Sequence, residues 1–165
     1  MNGKVCNYMG EIIRNNDELS NLMCGFDRTN IKIIMANGCF DLFHVGHLNL
    51  LKFAKCQGNI LIVAVNSDYS VNKLKGSSRP IVAQSDRIEL LSSLIYVDYV
   101  ILFDEDTPSK LINIIKPDII VKEEEYKTKK LPEIDTIKQC GAELAFYKRK
   151  NNISTSTIID RIKGL

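Results

Sequence analysis

Five short apolar runs, at residues 31–36, 60–66, 98–103, 118–122 and 142–147, alternate with longer stretches whose apolar residues recur at helical spacing. Strands of a parallel sheet are covered on both faces, so they read as unbroken apolar runs, and each needs a crossover that a helix supplies. Repetition of that unit predicts an α/β domain, a Rossmann-like doubly wound parallel sheet of about five strands. Punctuation agrees. Thr107 can cap a helix with Pro108 at its first position, Lys116-Pro117 closes it, and Ser85 can cap a helix running to about Ile95. Residues 1–30 are polar and asparagine-rich, with one modest helical stretch at Asp17 to Met23. They are read as an N-terminal helical extension beside a single domain at 31–165, and no chemistry is assigned to them.

A chain of 165 residues can bury a substantial core without disulfides or metals. The net charge of +2, with both signs interspersed, excludes a broad electrostatic footprint for nucleic acid; Lys148-Arg149-Lys150 is at most a local anion site. The cysteines at 6, 24, 39, 56 and 140 are odd in number and show no C-x-x-C spacing, as expected of reduced thiols in a cytosolic protein. No segment approaches the length of a membrane span and the N-terminus lacks a signal pattern, so a soluble, cytoplasmic protein without a membrane partner is expected.

In open α/β sheets, ligands bind beyond the carboxyl ends of the strands. The end of the first run reads Ala36-Asn37-Gly38-Cys39-Phe40-Asp41-Leu42-Phe43-His44-Val45-Gly46-His47 and contains the only two histidines of the chain. Asn37-Gly38 breaks the run, and helical spacing begins at Gly46, so His44 and His47 fall on the first turn of a helix. There the free N–H groups and the dipole favour anions, and residues three apart share a face, so both imidazoles can meet one phosphate chain while Gly46 lets it approach the backbone. A zinc site would need three or four protein ligands, and no further histidine exists. Structural histidines remain an alternative. Cys39 reads as a small buried residue rather than a nucleophile.

Other strand-end loops add to the candidate site. Lys75 and Arg79 lie in Lys73-Leu74-Lys75-Gly76-Ser77-Ser78-Arg79-Pro80, basic enough to close over phosphate, or else an ordinary solvated loop. Asn66, Ser67 and Asp68 end the second run, where ribose or base is commonly read, although they can equally form a turn. Ser154 is a natural N-cap, and Thr155 and Ser156 can grip phosphates from a second helix N-terminus; simple capping needs Ser154 alone.

Asn37-Gly38-Cys39-Phe40-Asp41 followed by His44-x-Gly46-His47 resembles the signature of the nucleotidyltransferase superfamily that includes the cytidylyltransferases. Val65-Asn66-Ser67-Asp68, Leu74-Lys75-Gly76-x-x-Arg79-Pro80, Val97-Asp98-Tyr99-Val100, Phe103 to Pro108, Pro117-Asp118 and Ser154-Thr155 resemble, in the same order, the adenylyltransferase domain of bacterial ADP-heptose synthase. The resemblance implies that His44 and His47 bind the triphosphate and stabilise the transition state, together with Lys75. It implies that Asn37, Gly38 and Phe40 shape the first loop, and that Asn66, Asp68, Arg79, Arg149 and Ser154 to Ser156 hold nucleotide and phosphates. Asp41, Lys122 and Tyr126 fall near the acceptor; for Asp41 a turn role is equally open. The reaction implied joins a nucleoside monophosphate from ATP or CTP to a small phosphorylated substrate. Phosphoryl-type transfer depends on positioning and on neutralising charge, which explains the lack of a nucleophile and base. Mg²⁺ is the expected companion of the triphosphate, bound mostly by waters, so no metal residues are named. A homodimer is implied by resemblance alone.

One loop departs from the heptose pattern. Where those enzymes carry Lys-Gly-Gly-Asp-Tyr, this chain has Lys122-Glu123-Glu124-Glu125-Tyr126. Lost glycines should alter the backbone path, and added carboxylates can accept polyol hydroxyls, attract a cation or face solvent. A fused sugar-kinase domain, which many heptose synthases carry upstream, is not expected here, and on that expectation a phosphorylated heptose would come from another polypeptide. The leading expectation is an adenylyltransferase acting on a heptose 1-phosphate. The rivals are a cytidylyltransferase for glycerol phosphate or another small polyol or amino alcohol phosphate, and a non-catalytic nucleotide-binding module.

Overall fold

A computed structural model of the protein describes residues 9–129, 131–149 and 153–165. Cys6 and Lys150 lie outside the described residues, as does the rest of 1–8, 130 and 150–152. The elements run β1 (Glu11–Ile13), α1 (Asn16–Cys24), β2 (Ile33–Gly38), α2 (Val45–Lys55), β3 (Ile60–Asn66), α3 (Asp68–Lys75), α4 (Gln84–Ser92), β4 (Tyr99–Phe103), α5 (Ser109–Ile115) and β5 (Ile119–Glu123). A 3₁₀ turn at Glu124–Lys127, then α6 (Ile134–Cys140), β6 (Glu143–Tyr147) and α7 (Thr155–Lys163), complete the chain.

All strand pairs are parallel, in the order β1-β4-β3-β2-β5-β6. Side chains alternate across a strand, so each central strand feeds two cores. From β2, Ile34 and Ala36 join Leu50, Leu51 and Ala54 of α2 and Leu91 of α4. Ile33 and Met35 point the other way, to Leu19 of α1, Leu111, Ile112 and Ile115 of α5 and Ile137 of α6. The doubly wound architecture is therefore as expected, with six strands rather than about five.

The sixth strand is β1, inside the segment expected to be a helical extension. Glu11, Ile12 and Ile13 pair with Tyr99, Val100 and Ile101 at the sheet edge, and Ile13 is buried. α1 follows with Asn15 as its cap. Three residues carry too little periodicity to stand out from a polar segment; the pairing supplies the strand.

Helix starts shift by a residue or two. Ser85 lies inside α4, whose cap position is Ala83 without a side-chain bond, and Pro108 rather than Thr107 occupies the α5 cap position. Asn37 and Gly38 continue β2 instead of breaking it, paired with Ala64 and Val65. After β2 the chain continues to β3 on one side, while β5 lies on the other. This reversal of strand order opens a crevice above the carboxyl ends of β2 and β5.

Candidate functional site

A cavity of about 630 Å³ fills that crevice. The first loop brings Asn37, Gly38, Phe40, Asp41, His44 and His47 to its wall, and β3 contributes Asn66. Lys75 reaches it from the end of α3 and Arg79 from the α3–α4 connection, Lys122 and Tyr126 from the end of β5 and its 3₁₀ turn, Arg149 and Ser154 from between β6 and α7, and Thr155 and Ser156 from the start of α7.

His44 is the N-cap of α2. Its Nδ1 accepts the Gly46 N–H at 3.1 Å, so the proton of the neutral ring sits on Nε2. One turn on, His47 stacks on His44 with ring centroids 3.8 Å apart, and Phe40 meets it edge-on at 5.3 Å. His47 Nδ1 is buried with no hydrogen-bond partner among the described residues. Burial, then the neighbouring His44 and Arg149 charges, push the His47 pKa down to about 3; burial and Arg149 also lower that of His44. The imidazoles are therefore neutral near pH 7, and a phosphate must raise their pKa values before they carry a proton, a larger change than an ordinary histidine would need.

Gly46 does not line the cavity. A Cβ there would lie 2.8 Å from His44 Cε1 and 2.9 Å from Nδ1, so the glycine makes room for the His44 ring rather than for phosphate.

Asp41 also differs from expectation. Phe40 and Leu42 on either side adopt φ of 50° and 46°, and the carboxylate between them turns inward. Its oxygens accept Arg79 Nε at 2.6 Å and the Ile81 and Val82 N–H groups at 3.0 Å, and its side chain is fully buried. Burial would raise the Asp41 pKa, but these donors outweigh it and hold the carboxyl below its ordinary value. Thr155 Oγ1 donates to the Asp41 carbonyl at 2.6 Å. Asp41 thus ties together the first loop, the 79–82 loop and the start of α7, and its carboxylate is taken up by that clamp rather than by an acceptor.

Asp68, like Gly46 and unlike Asp41, does not line the cavity. Arg87 Nη2 donates to it at 2.7 Å, and its own N–H bonds Gln84 Oε1. Arg87, which the sequence reading missed, is 2% exposed and also donates to the carbonyls of Cys39, Asn66 and Val82. It joins the ends of β2 and β3 to the 79–82 loop. Its one sequence signal is position: Arg87 lies four residues before buried Leu91, on the inner face of α4.

Ser154 caps α7 with a reciprocal bond to Thr157, as expected of a capping box. Thr155 and Ser156, at the first two positions of α7, line the cavity beside it. On the opposite wall, Lys122 Nζ donates to Asn37 Oδ1 at 2.8 Å and to Glu133 Oε1, with the Tyr126 ring 5.9 Å away. Glu133 is a second residue the sequence reading missed. Of the three glutamates, Glu123 pairs with Arg149, Glu125 lines the cavity 3.4 Å from Lys129, and Glu124 faces solvent. Glu123 takes an ordinary extended conformation, φ −69°, so no positive φ is needed where the family pattern has glycine. Burial raises the Cys39 thiol pKa, consistent with an unreactive wall residue, and burial with Glu125 and Glu123 raises that of the Tyr126 phenol.

Most of the cavity's carboxylates are engaged, Asp41 by Arg79, Glu123 by Arg149, Glu133 by Lys122 and Asp106 by Lys73. Among the described residues no cluster of three metal-ligating side chains exists. This set fits a divalent ion carried on polyphosphate and water better than one caged by protein. No helix among the described residues is long and apolar enough to cross a membrane.

A parallel sheet with a strand-order reversal and two helix N-termini meeting over a histidine pair is the arrangement that the resemblance to the nucleotidyltransferases implies. The cytidylyltransferase-like family matches residues 35–161, and the chain belongs to that family. Over 149 residues it is 46% identical to the bifunctional protein HldE of a Helicobacter pylori strain, covering 88% of this chain and 30% of that protein. Over 154 residues it is 44% identical to the protein of the same name from a Nitratiruptor species, covering 93% and 32%. The chain thus spans about a third of the length of these curated relatives. A lipopolysaccharide core biosynthesis protein from Thermoplasma volcanium superposes with a TM-score of 0.58 at 29% identity, over 74% of this chain and 99% of its own. The pantoate-beta-alanine ligase from Francisella tularensis, complexed with beta-gamma ATP and beta-alanine, gives 0.64 at 15% identity over 94% and 78%, a likeness of fold alone.

Proposed function

We propose that this domain transfers an adenylyl group from ATP to a heptose 1-phosphate. An acceptor phosphate oxygen attacks the α-phosphorus, the bond to the β-phosphate oxygen breaks, pyrophosphate leaves and a nucleoside-diphosphate sugar forms. The observation that carries this reading is the meeting, in one cavity, of the stacked His44–His47 pair, the α7 N-terminus at Ser154 to Ser156, and Lys75, Arg79 and Arg149. A phosphate monoester is largely dianionic near neutrality, with its second pKa about 6, so the acceptor needs no strong base. What the reaction requires is donors fixed where negative charge grows on the departing pyrophosphate. His44, with its proton on Nε2, and the N–H groups at the start of α7 are the donors we assign to that task. Mg²⁺ bound with the triphosphate would supply Lewis-acid neutralisation of the same charge.

The acceptor wall is built differently. Lys122, Asn37 and Glu133 form a paired, nearly neutral floor with Tyr126 above it, suited to reading hydroxyl groups rather than a second phosphate. Resemblance to the ADP-heptose synthases and identity to relatives named HldE support the heptose assignment.

The test is incubation of the protein and Mg²⁺ with each nucleoside triphosphate and a panel of heptose 1-phosphates, other sugar 1-phosphates, glycerol phosphate and ethanolamine phosphate, following pyrophosphate and the nucleotide-linked product. Product from ATP and a heptose 1-phosphate is expected. Product only from CTP and a small alcohol phosphate overturns the substrate assignment, and triphosphate binding without pyrophosphate release for any acceptor overturns catalysis.

A further inference from the structure

We infer that Glu123 is the resident counter-ion of Arg149, exchanged for polyphosphate during turnover, and that it sets how tightly the site holds triphosphate and how readily it gives up pyrophosphate. This rests on the nucleotidyltransferase reading above. Glu123 ends β5, and its register partner on β6 is Tyr147, two residues before Arg149. The sheet therefore delivers the carboxylate and the guanidinium to the same place, where Arg149 Nη2 pairs with Glu123 Oε2 and Nη1 lies 3.4 Å from the Ile153 carbonyl. Both residues line the cavity with His44 and Ser154, and the Arg149 charge helps depress both histidine pKa values.

A guanidinium binds carboxylate and phosphate with the same planar fork. Polyphosphate that engages Arg149 must therefore displace Glu123 or meet its charge at close range. The cavity's other two arginine or lysine pairs that are buried cannot be exchanged in this way. Asp41, fully buried, also holds two backbone N–H groups, and Glu133 is 4% exposed against a Lys122 that is 7% exposed. Glu123 and Arg149 are 16% and 31% exposed, and Glu123 makes no other side-chain hydrogen bond among the described residues. Turning Glu123 away breaks one ion pair and no loop. Its return to Arg149 compensates the guanidinium as pyrophosphate departs. The related pattern has glycine at this position, which cannot serve in that way.

The test is calorimetric titration of Mg²⁺-ATP, and separately of pyrophosphate, into the full chain as wild type, Glu123→Gln, Arg149→Met and the double variant, with thermal melts to confirm folding. Glu123→Gln should bind both ligands roughly three- to tenfold more tightly, the scale of a partly exposed ion pair, and pyrophosphate should become a correspondingly stronger product inhibitor. In the Arg149→Met background the same change should have no effect. Unchanged or weaker binding by Glu123→Gln overturns the inference. So does an equal gain in the Arg149→Met background, which would make Glu123 a general repulsive charge. A folded wild type that binds neither ligand instead overturns the nucleotidyltransferase reading, and this inference falls with it.

Discussion

Acid should destabilise this domain through His47. Its Nδ1 is buried without a partner among the described residues, its ring is stacked on His44, and its pKa is pushed down to about 3 by burial first and by neighbouring positive charge second. In the unfolded chain an ordinary histidine titrates near about 6.5. A depressed folded-state pKa means the unfolded chain gains a proton that the folded one refuses. Stability is complete above about pH 7 and is lost at about 1.4 kcal/mol per pH unit as pH falls from about 6.5 toward the folded pKa. At about pH 5 the loss from His47 is roughly 2 kcal/mol. Asp41, whose pKa is lowered, loses its contribution only below about pH 4, outside this window. His44 shifts in the same direction as His47, so the informative quantity is a difference between variants. Urea unfolding followed by circular dichroism, at about pH 7.5 and about pH 5, should show wild type losing roughly 2 kcal/mol more than His47→Asn over that interval. Parallel losses would refute the reasoning, because they would mean that the folded ring accepts its proton freely. The same chemistry predicts proton uptake when ATP binds near pH 6, seen as a binding enthalpy that depends on the buffer.

Gly46→Ala places a methyl 2.8 Å from the His44 ring and should lower turnover by about tenfold or more, with a stability cost of only about 1 kcal/mol, measured by steady-state kinetics and urea unfolding; full activity would refute the packing role of Gly46. Arg87→Lys replaces a buried fork that serves four acceptors and should destabilise the fold by about 3 kcal/mol in urea unfolding, whereas unchanged stability would remove Arg87 as the organiser of these loops. Glu133→Gln should raise the acceptor KM about tenfold with the ATP KM unchanged, and a rise in both would assign Glu133 to general structure. Lys75, which lines the cavity without a carboxylate partner among the described residues, should matter to the incoming triphosphate. Lys75→Met is expected to lower kcat/KM for ATP by about 10- to 100-fold and to flatten its salt dependence, while an unchanged kcat/KM would exclude it from phosphate binding.

The features legible in the sequence are those written locally. Apolar runs of strand length, helical spacing after Gly46 and the Ser154 cap each depend on residues within a few positions of one another, and β2 to β6 and α7 fall where those patterns place them. The features that were not legible depend on partners far away in the chain. Asp41 finds Arg79 and Val82 some forty residues on, Arg87 reaches back to Cys39 and Asn66, and β1 exists by pairing with β4. Gly46 shows the boundary within a single motif. A small residue between two histidines is visible in the chain, but which neighbour needs the space depends on the His44 rotamer that its own N–H helps to hold.

These long-range pairs also explain how four cationic side chains, Lys75, Arg79, Lys122 and Arg149, can line one cleft in a protein of net charge +2. Arg79, Arg149 and Lys122 each stand against a carboxylate drawn from a different segment, so the fold does not gather unbalanced like charges over one crevice. Burial grades how firmly each pair is fixed. The Arg79–Asp41 and Lys122–Glu133 pairs are desolvated, and breaking either would strand a charge in the protein, so they shape the walls. The Arg149–Glu123 pair keeps access to solvent and costs little to open. Fixed walls beside one exchangeable pair and a Lys75 without a carboxylate partner among the described residues suit a site that must capture a highly charged triphosphate and then release pyrophosphate, since a cleft built only of free cations would hold the product as tightly as the substrate.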